Sequence, residues 1–423
     1  MPNPSEAPNP SDELWQSDPE TYWRGIDAAA RAARLDSPAL IIDRGALEHN
    51  IADLRRRAGG VPIRVASKSL RVRSVIGDIL GREGFAGVLA YSVDEARWLA
   101  TELELPDVLM GYPTTSRGAI GRLLADDVAR ERVTLLVDST EHLDLIDSVT
   151  PPGQRGTVRI AIDLDASLRL AFGLVHIGVR RSPVHRPTDA EALARAIVER
   201  PGFALVGVMS YEAQVAGVGN QVVGARLKNR VVSAMQDRSM AELRTRRGAA
   251  VEAISRHAKL EFVNAGGTGS LEATARDSSV TDIAAGSGFF GGHLFDNYAH
   301  FRPAPAMAFG LDVVRRPTPN IITCLGGGWI ASGPAAPDRL PKPAWPQGLS
   351  YLGTEAAGEV QTPLRGEAAH GRNVGDRVWF RHTKSGEAAE HVNEVAVIDR
   401  DADGGPRVVD VVPTYRGEGK SFL

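Results

Sequence analysis

The chain has 423 residues, 43% apolar and 24% charged, the balance of an ordinary globular protein with two or three domains. Its 49 basic residues against 52 acidic ones give a net charge of −3, which offers no electrostatic basis for binding nucleic acid. The single cysteine, Cys324, excludes an intrachain disulfide and a cysteine-based zinc cluster.

Residues 1–36 read as an extension with helical spacing, in which Trp15, Tyr22, Trp23 and Ile26 form a stripe suited to docking. The start is polar and lacks the basic and apolar regions of a secretory signal. No apolar run reaches the roughly 20 residues of a membrane helix, so a soluble cytoplasmic protein is expected. From Ser37 onward, short apolar runs alternate with amphipathic stretches. The runs are 39–43, 63–67, 87–92, 107–112, 133–138, 158–165, 204–211 and 260–267. Helices are predicted at 45–58 and 92–103, and the longest over about 220–258. Eight such runs separated by helices predict parallel βαβ units, and their number favours a (β/α)8 TIM barrel over 37–305. An open doubly wound sheet is the alternative, but no G-x-G-x-x-G follows the first run. Beyond Pro303 the helical period disappears, and 306–423 reads as a separate all-β domain. The fold class is therefore α/β, a barrel followed by a C-terminal β domain.

Basic residues are almost all Arg. Only six are Lys, and Lys68 stands directly after the apolar run 63–67. Reactive groups of barrels sit at the C-terminal ends of strands. A lysine there can form an imine, which arginine cannot, because the amine must lose its proton. The plainer reading of Lys68 is an exposed strand-end lysine. "NAGGTGS" (264–270) follows the eighth run, and a second glycine-rich loop, "AAGSGFFGG" (284–292), comes soon after. Two such loops suit the phosphate of a cofactor, with Thr268 adding a hydroxyl. Asp163, Asp165 and Arg169 end one run, where Arg169 pairs either with a cofactor atom or with a rim carboxylate. Tyr211 ends another, as a cofactor contact, an acid/base or a rim plug. In the β domain, His382 ends a strand on the side of Val378 and Phe380, close to Lys384, Glu387, Glu390 and His391.

Lys68, "GGTGS" and a β domain containing "GDRVWFRH" together resemble the alanine-racemase-fold (fold type III) enzymes that use pyridoxal 5'-phosphate (PLP). The likeness is to the D-threonine aldolase and D-serine dehydratase group, in its bacterial amino acid deaminase/aldolase branch. It spans roughly 37–395 and opens on "SPALIIDRGALEHNI". The resemblance implies PLP held as an imine by Lys68. Its phosphate would rest on Gly266, Gly267 and Thr268 and on Gly286, Ser287 and Gly288, with Arg169 and Tyr211 also at the cofactor. It implies a lyase acting on a D-β-hydroxy amino acid, by aldol cleavage or by dehydration with deamination. His382, or alternatively Tyr211, would work at the hydroxyl. The resemblance also implies a homodimer and a divalent metal on a His-x-Cys or His-x-Asp pair. Here His382 matches the first ligand and Lys384 replaces the second, so the ammonium stands where the family has a metal. A PLP-dependent racemase, with Tyr298, Tyr351 or Tyr415 as second base, is the alternative activity. A non-catalytic PLP carrier is disfavoured by the β domain.

Overall fold

A computed structural model describes residues 14–171, 174–334, 336–384 and 386–423. The chain divides into two compact units. One comprises Leu54–Lys68, Val75–Gly286 and the last two residues; the other comprises the segment ending at Asp53, Ser69–Ser74 and Ser287–Ser421.

The first unit is a closed barrel of eight parallel strands: β2 (Ile63–Ala66), β3 (Phe85–Ala90), β4 (Val108–Met110), β5 (Val133–Val137), β6 (Val158–Asp163), β9 (Phe203–Ser210), β10 (Phe262–Ala265) and β11 (Asp282–Ala285). Between β6 and β9 lies a small antiparallel hairpin, β7 (Leu168–Leu170) with β8 (Val175–Ile177). Register holds β2 against both β3 and β11, closing the ring. Leu109, Leu136, Ala161, Met209 and Phe262 form a packed cluster, with Leu89 against it. At the N-terminal end of the strands, Arg64 is buried and pairs with Asp107 at 2.6 Å and Asp282 at 3.1 Å. Catalytic groups in this architecture sit at the opposite end, where the βα loops leave the strands. The long predicted helix is present as Arg226–Ser255.

The second unit is a nine-stranded sheet. Its strands are β1 (Ala39–Asp43), β12 (Met307–Thr318), β13 (Ile321–Leu325), β14 (Lys342–Trp345), β15 (Ser350–Tyr351), β16 (Gln361–Arg365), β17 (Arg377–Arg381), β18 (Glu394–Arg400) and β19 (Pro406–Pro413). β1 pairs antiparallel with β12 and parallel with β18. The helix Pro19–Ala32 buries Tyr22, Trp23 and Ile26 in a cluster with Ile41, Trp379 and Ile398, and Trp15 packs against it. Asp18 caps that helix by accepting from the Thr21 amide at 3.1 Å. The docking stripe thus belongs to the core of the sheet unit.

Two assignments change. The run 39–43 is a strand of the sheet, not the first barrel strand, and the eighth barrel strand is the short run 282–285. All five residues of β1 are buried, and so are all four of β11. A short, fully buried apolar strand carries no alternation that identifies its partner, which long-range pairing decides. Lys68 therefore follows the first barrel strand, "NAGGTGS" the seventh and Gly286 the eighth. The compact units accordingly differ from the expected boundaries at 36 and 305, because β1 and its helix pair with the C-terminal strands.

Candidate active site

Past Ala66 the chain turns through a 3-10 segment, Ser67–Ser69. The Ser67 hydroxyl donates to the Leu89 carbonyl at 3.2 Å and pins the turn to β3. The Lys68 Nζ donates to the Tyr112 hydroxyl at 3.1 Å and stands 5.7 Å from the centre of its ring. Tyr112 lies two residues past β4. Both groups are half-buried at the C-terminal end of the barrel.

The glycine loop is held from beneath by a fully buried carboxylate. Glu212 accepts from the Gly266 amide at 3.0 Å and the Ser270 hydroxyl at 3.4 Å, and also from the Thr274 hydroxyl. Arg247, equally buried, lies 3.6 Å from Glu212 and grips Asp277 at 3.0 and 2.7 Å. On the other side, buried Arg57 donates to the Thr268 carbonyl at 2.6 Å and to Glu272 at 2.6 and 3.0 Å. Gly266 has φ +79°, a conformation that favours glycine. A Cβ at Gly267 would lie 2.9 Å from the Ala216 Cβ and 3.1 Å from the Tyr211 ring. Glycine is required at 267 because Ala216 and Tyr211 pack directly against its backbone. Burial pushes the Tyr211 phenol up to about 12; neighbouring Tyr112 and Glu212 add to the rise and Arg181 opposes it.

Around the rim, Asp165 accepts from Ser167 at 2.6 Å and from Arg169 at 2.7 Å, and lies 3.0 Å from His185 Nδ1. Burial alone would raise this carboxyl, but those hydrogen bonds prevail and hold it well below the usual range. Arg169 thus makes the rim salt bridge foreseen as its second reading. Asp163 behaves oppositely. Burial first, then the like charges of Asp138 and Asp165, push it up to about 7, while Arg181 works against the shift. Gly286 leaves β11, and Ser287 and Gly288 open the short helix Ser287–Phe290, which falls in the sheet unit.

His382 and Lys384 also belong to the sheet unit. β17 ends at Arg381, so His382 stands one residue past the strand and Lys384 lies in a bend. The strand alternation expected to reach His382 stops at Arg381, because the backbone of 382–383 turns to pair with 293–294 instead. The His293 and Leu294 amides donate to the His382 and Thr383 carbonyls, each at 3.0 Å. His382 is buried, with Nδ1 3.3 Å from the Met307 carbonyl and Nε2 without a hydrogen-bond partner among the described residues. Burial pushes its imidazole down to about 3, so it is neutral at physiological pH. Of the tyrosines considered as a second base, Tyr351 donates to the Pro341 carbonyl at 2.6 Å, Tyr298 packs against Phe295 and Phe301, and Tyr415 is buried.

The family model for the alanine racemase N-terminal domain matches residues 42–293. The chain belongs to that family. No curated protein matches it in sequence. Among solved structures it is similar to D-threonine aldolase from Filomicrobium marinum, with TM-score 0.73 and 18% identity over 90% of this chain and 96% of that one. It is similar also to D-threo-3-hydroxyaspartate dehydratase from Delftia sp. HT23, with TM-score 0.68 and 17% identity over 90% and 97% of the two chains. Alanine racemase from Corynebacterium glutamicum aligns with TM-score 0.52 and 15% identity over 82% and 92%. At these identities the likeness is one of fold.

For a member of the alanine racemase family the question is whether these residues fit PLP. They do: an amine at a strand end faces a phenol, and a glycine turn anchored on Glu212 lies beside an aromatic ring. A metal fits less well. His382 offers one neutral imidazole nitrogen, but no three His, Cys, Asp or Glu side chains gather among the described residues as a metal site needs. Sequence reasoning missed Tyr112, Arg57, Arg247 and Asp277. None lies in a motif; only the rarity of a buried charge marks Arg57, Arg247 and Asp277, nothing local marks Tyr112, and burial is not written locally.

Proposed function

We propose that the chain is a PLP-dependent lyase acting on a D-configured β-hydroxy amino acid. The observation that carries this reading is Lys68, held by the Tyr112 hydroxyl at the mouth of the barrel that also presents the Gly266–Thr268 turn. Lys68 would hold PLP covalently, and the turn would take its phosphate. When bound, PLP supplies an electron sink for the pair left at the substrate Cα. In dehydration the Lys68 amine would take the Cα proton while the β-hydroxyl leaves as water; in cleavage the β-hydroxyl would lose its proton as the Cα–Cβ bond breaks to the aldehyde; in both Tyr112 would keep the Lys68 amine oriented. Burial favours the protonated form of Tyr211, which would then serve as a hydrogen-bond donor at the cofactor or the substrate hydroxyl. Glu212 and Arg57 keep the turn rigid from both sides. Membership of the alanine racemase family and the fold likeness to an aldolase and a dehydratase support the reading. The expected assembly is a homodimer, checked by sedimentation.

Incubation of the PLP-loaded protein with D-threonine, D-serine and D-alanine, with the products identified, tests the activity. Glycine plus aldehyde marks cleavage, and ammonia plus keto acid marks dehydration. Conversion of D-alanine to L-alanine with neither lyase product would replace this reading by a racemase.

A further inference from the structure

The rim of the barrel unit carries a cavity that the mechanism leaves unused. It measures about 370 Å³ and is lined by Arg169, His176, Arg180, Arg181, Ser182 and Pro183. Its walls are held in place. The β7–β8 hairpin sets Arg169 opposite His176. Buried Ser182 donates to the Asp163 carbonyl at 2.6 Å, and the Asp165 amide donates to the Val184 carbonyl at 2.8 Å, which ties the loop to the end of β6. His176 Nε2 lies 3.1 Å from the Val179 carbonyl.

Three guanidinium groups on one small cavity concentrate positive charge there, which favours an anionic ligand. Arg169 is answered by Asp165 at 2.7 Å. Arg180 and Arg181 form no salt bridge among the described residues. The acidic group facing Arg181 is Asp163, which retains its proton up to about 7 and so neutralises that arginine only in part near neutrality. The cavity also lies against the candidate site: the Arg181 guanidinium is 5.8 Å from the centre of the Tyr211 ring, and that ring flanks Gly267. Planar guanidinium forks match carboxylate and phosphate oxygens. The volume stands at the low end for small-molecule pockets, enough for a short side chain.

We propose that this cavity binds an anionic group, a carboxylate or a phosphate, at the far end of the substrate, so that the preferred amino acid is acidic rather than neutral. The inference rests on the reading of the chain as an amino-acid lyase and adds the substrate class.

Two arms test it. The kinetic arm compares D-3-hydroxyaspartate with D-threonine on the PLP-loaded protein, in wild type, Arg180→Gln, Arg181→Gln and the double variant. The acidic substrate should lead in kcat/KM by at least about tenfold, and the double variant should lose about that factor through KM for the acidic substrate alone. The binding arm titrates malonate, and separately inorganic phosphate, into the PLP-loaded protein by calorimetry. One or both should bind in wild type and weaken by about tenfold in the double variant, and the tighter probe identifies the anion class. Both arginines are exposed, and each single variant is run beside the double so that one folding failure leaves the test intact. Equal kcat/KM for the two substrates, or malonate and phosphate binding unchanged by the substitutions, overturns the inference. Turnover of neither substrate together with arginine-dependent malonate binding would refute the lyase reading and leave the anion cavity standing.

Discussion

Removing the Glu212 carboxylate is the sharpest probe of how this chain builds its cofactor turn. Glu212 is fully buried and is the acceptor for the Gly266 amide, so Glu212→Ala leaves that amide with no partner from this side chain. The hydroxyls of Ser270 and Thr274 suffer less, since they lie 3.3 Å apart and can bond each other. Arg247 keeps Asp277 but loses the second charge, 3.6 Å away. The orphaned buried Gly266 amide costs about 1–3 kcal/mol, and the hydroxyls that lose a charged acceptor add to it, so the substitution should destabilise by about 2–4 kcal/mol. Glu212→Gln keeps one acceptor for Gly266 and offers an NH2 to the Thr274 hydroxyl; it should cost roughly half as much, mainly through the weaker partnership with Arg247. Urea unfolding of the barrel, followed by fluorescence, measures the stability. Equilibrium titration of PLP absorbance measures the affinity, which should fall in the same order. A Glu212→Ala protein with wild-type stability and wild-type PLP affinity would refute the claim that this carboxylate holds the turn.

Borohydride treatment of the PLP-loaded protein should fix the cofactor on the peptide containing Lys68, and Lys68→Arg should abolish both the labelling and turnover; labelling elsewhere would displace Lys68 from its role. Turnover should survive exhaustive chelation, because no cluster of three His, Cys, Asp or Glu side chains gathers at His382 among the described residues; loss on chelation and recovery with one divalent ion would show a metal site that these residues do not reveal. Asp163 titrates near 7 in the folded chain against 3.8 ordinarily. The folded state then binds that proton more tightly than the unfolded one, so the group's contribution is fully favourable below 3.8 and is lost as pH rises towards 7. Asp163→Asn should therefore raise the Tm at pH 8 and change it little at pH 4, as thermal scans across that interval would reveal. An equal effect at both ends would mean that its carboxyl titrates normally.

Much of the chemistry was written locally. A lone lysine after an apolar run and a glycine-rich turn after another are features of a few adjacent residues, and each stands at the end of a barrel strand. The alternation of apolar runs with amphipathic helices sufficed for the barrel, and the loss of helical period after Pro303 for the sheet region, since periodicity follows from backbone geometry alone. What tertiary structure alone decided is partnership. "ALIID" and "DIAA" are both short and fully buried, and only pairing with β12 and β18, or with β10 and β2, assigns one to the sheet and the other to the barrel. The same holds for charge. Glu212 meets Gly266 across 54 residues, Lys68 meets Tyr112 across 44, and Arg57 meets Thr268 across 211. Such pairs exist because burial forbids an unanswered charge, and which group answers is settled by chain topology rather than by any neighbour in the sequence.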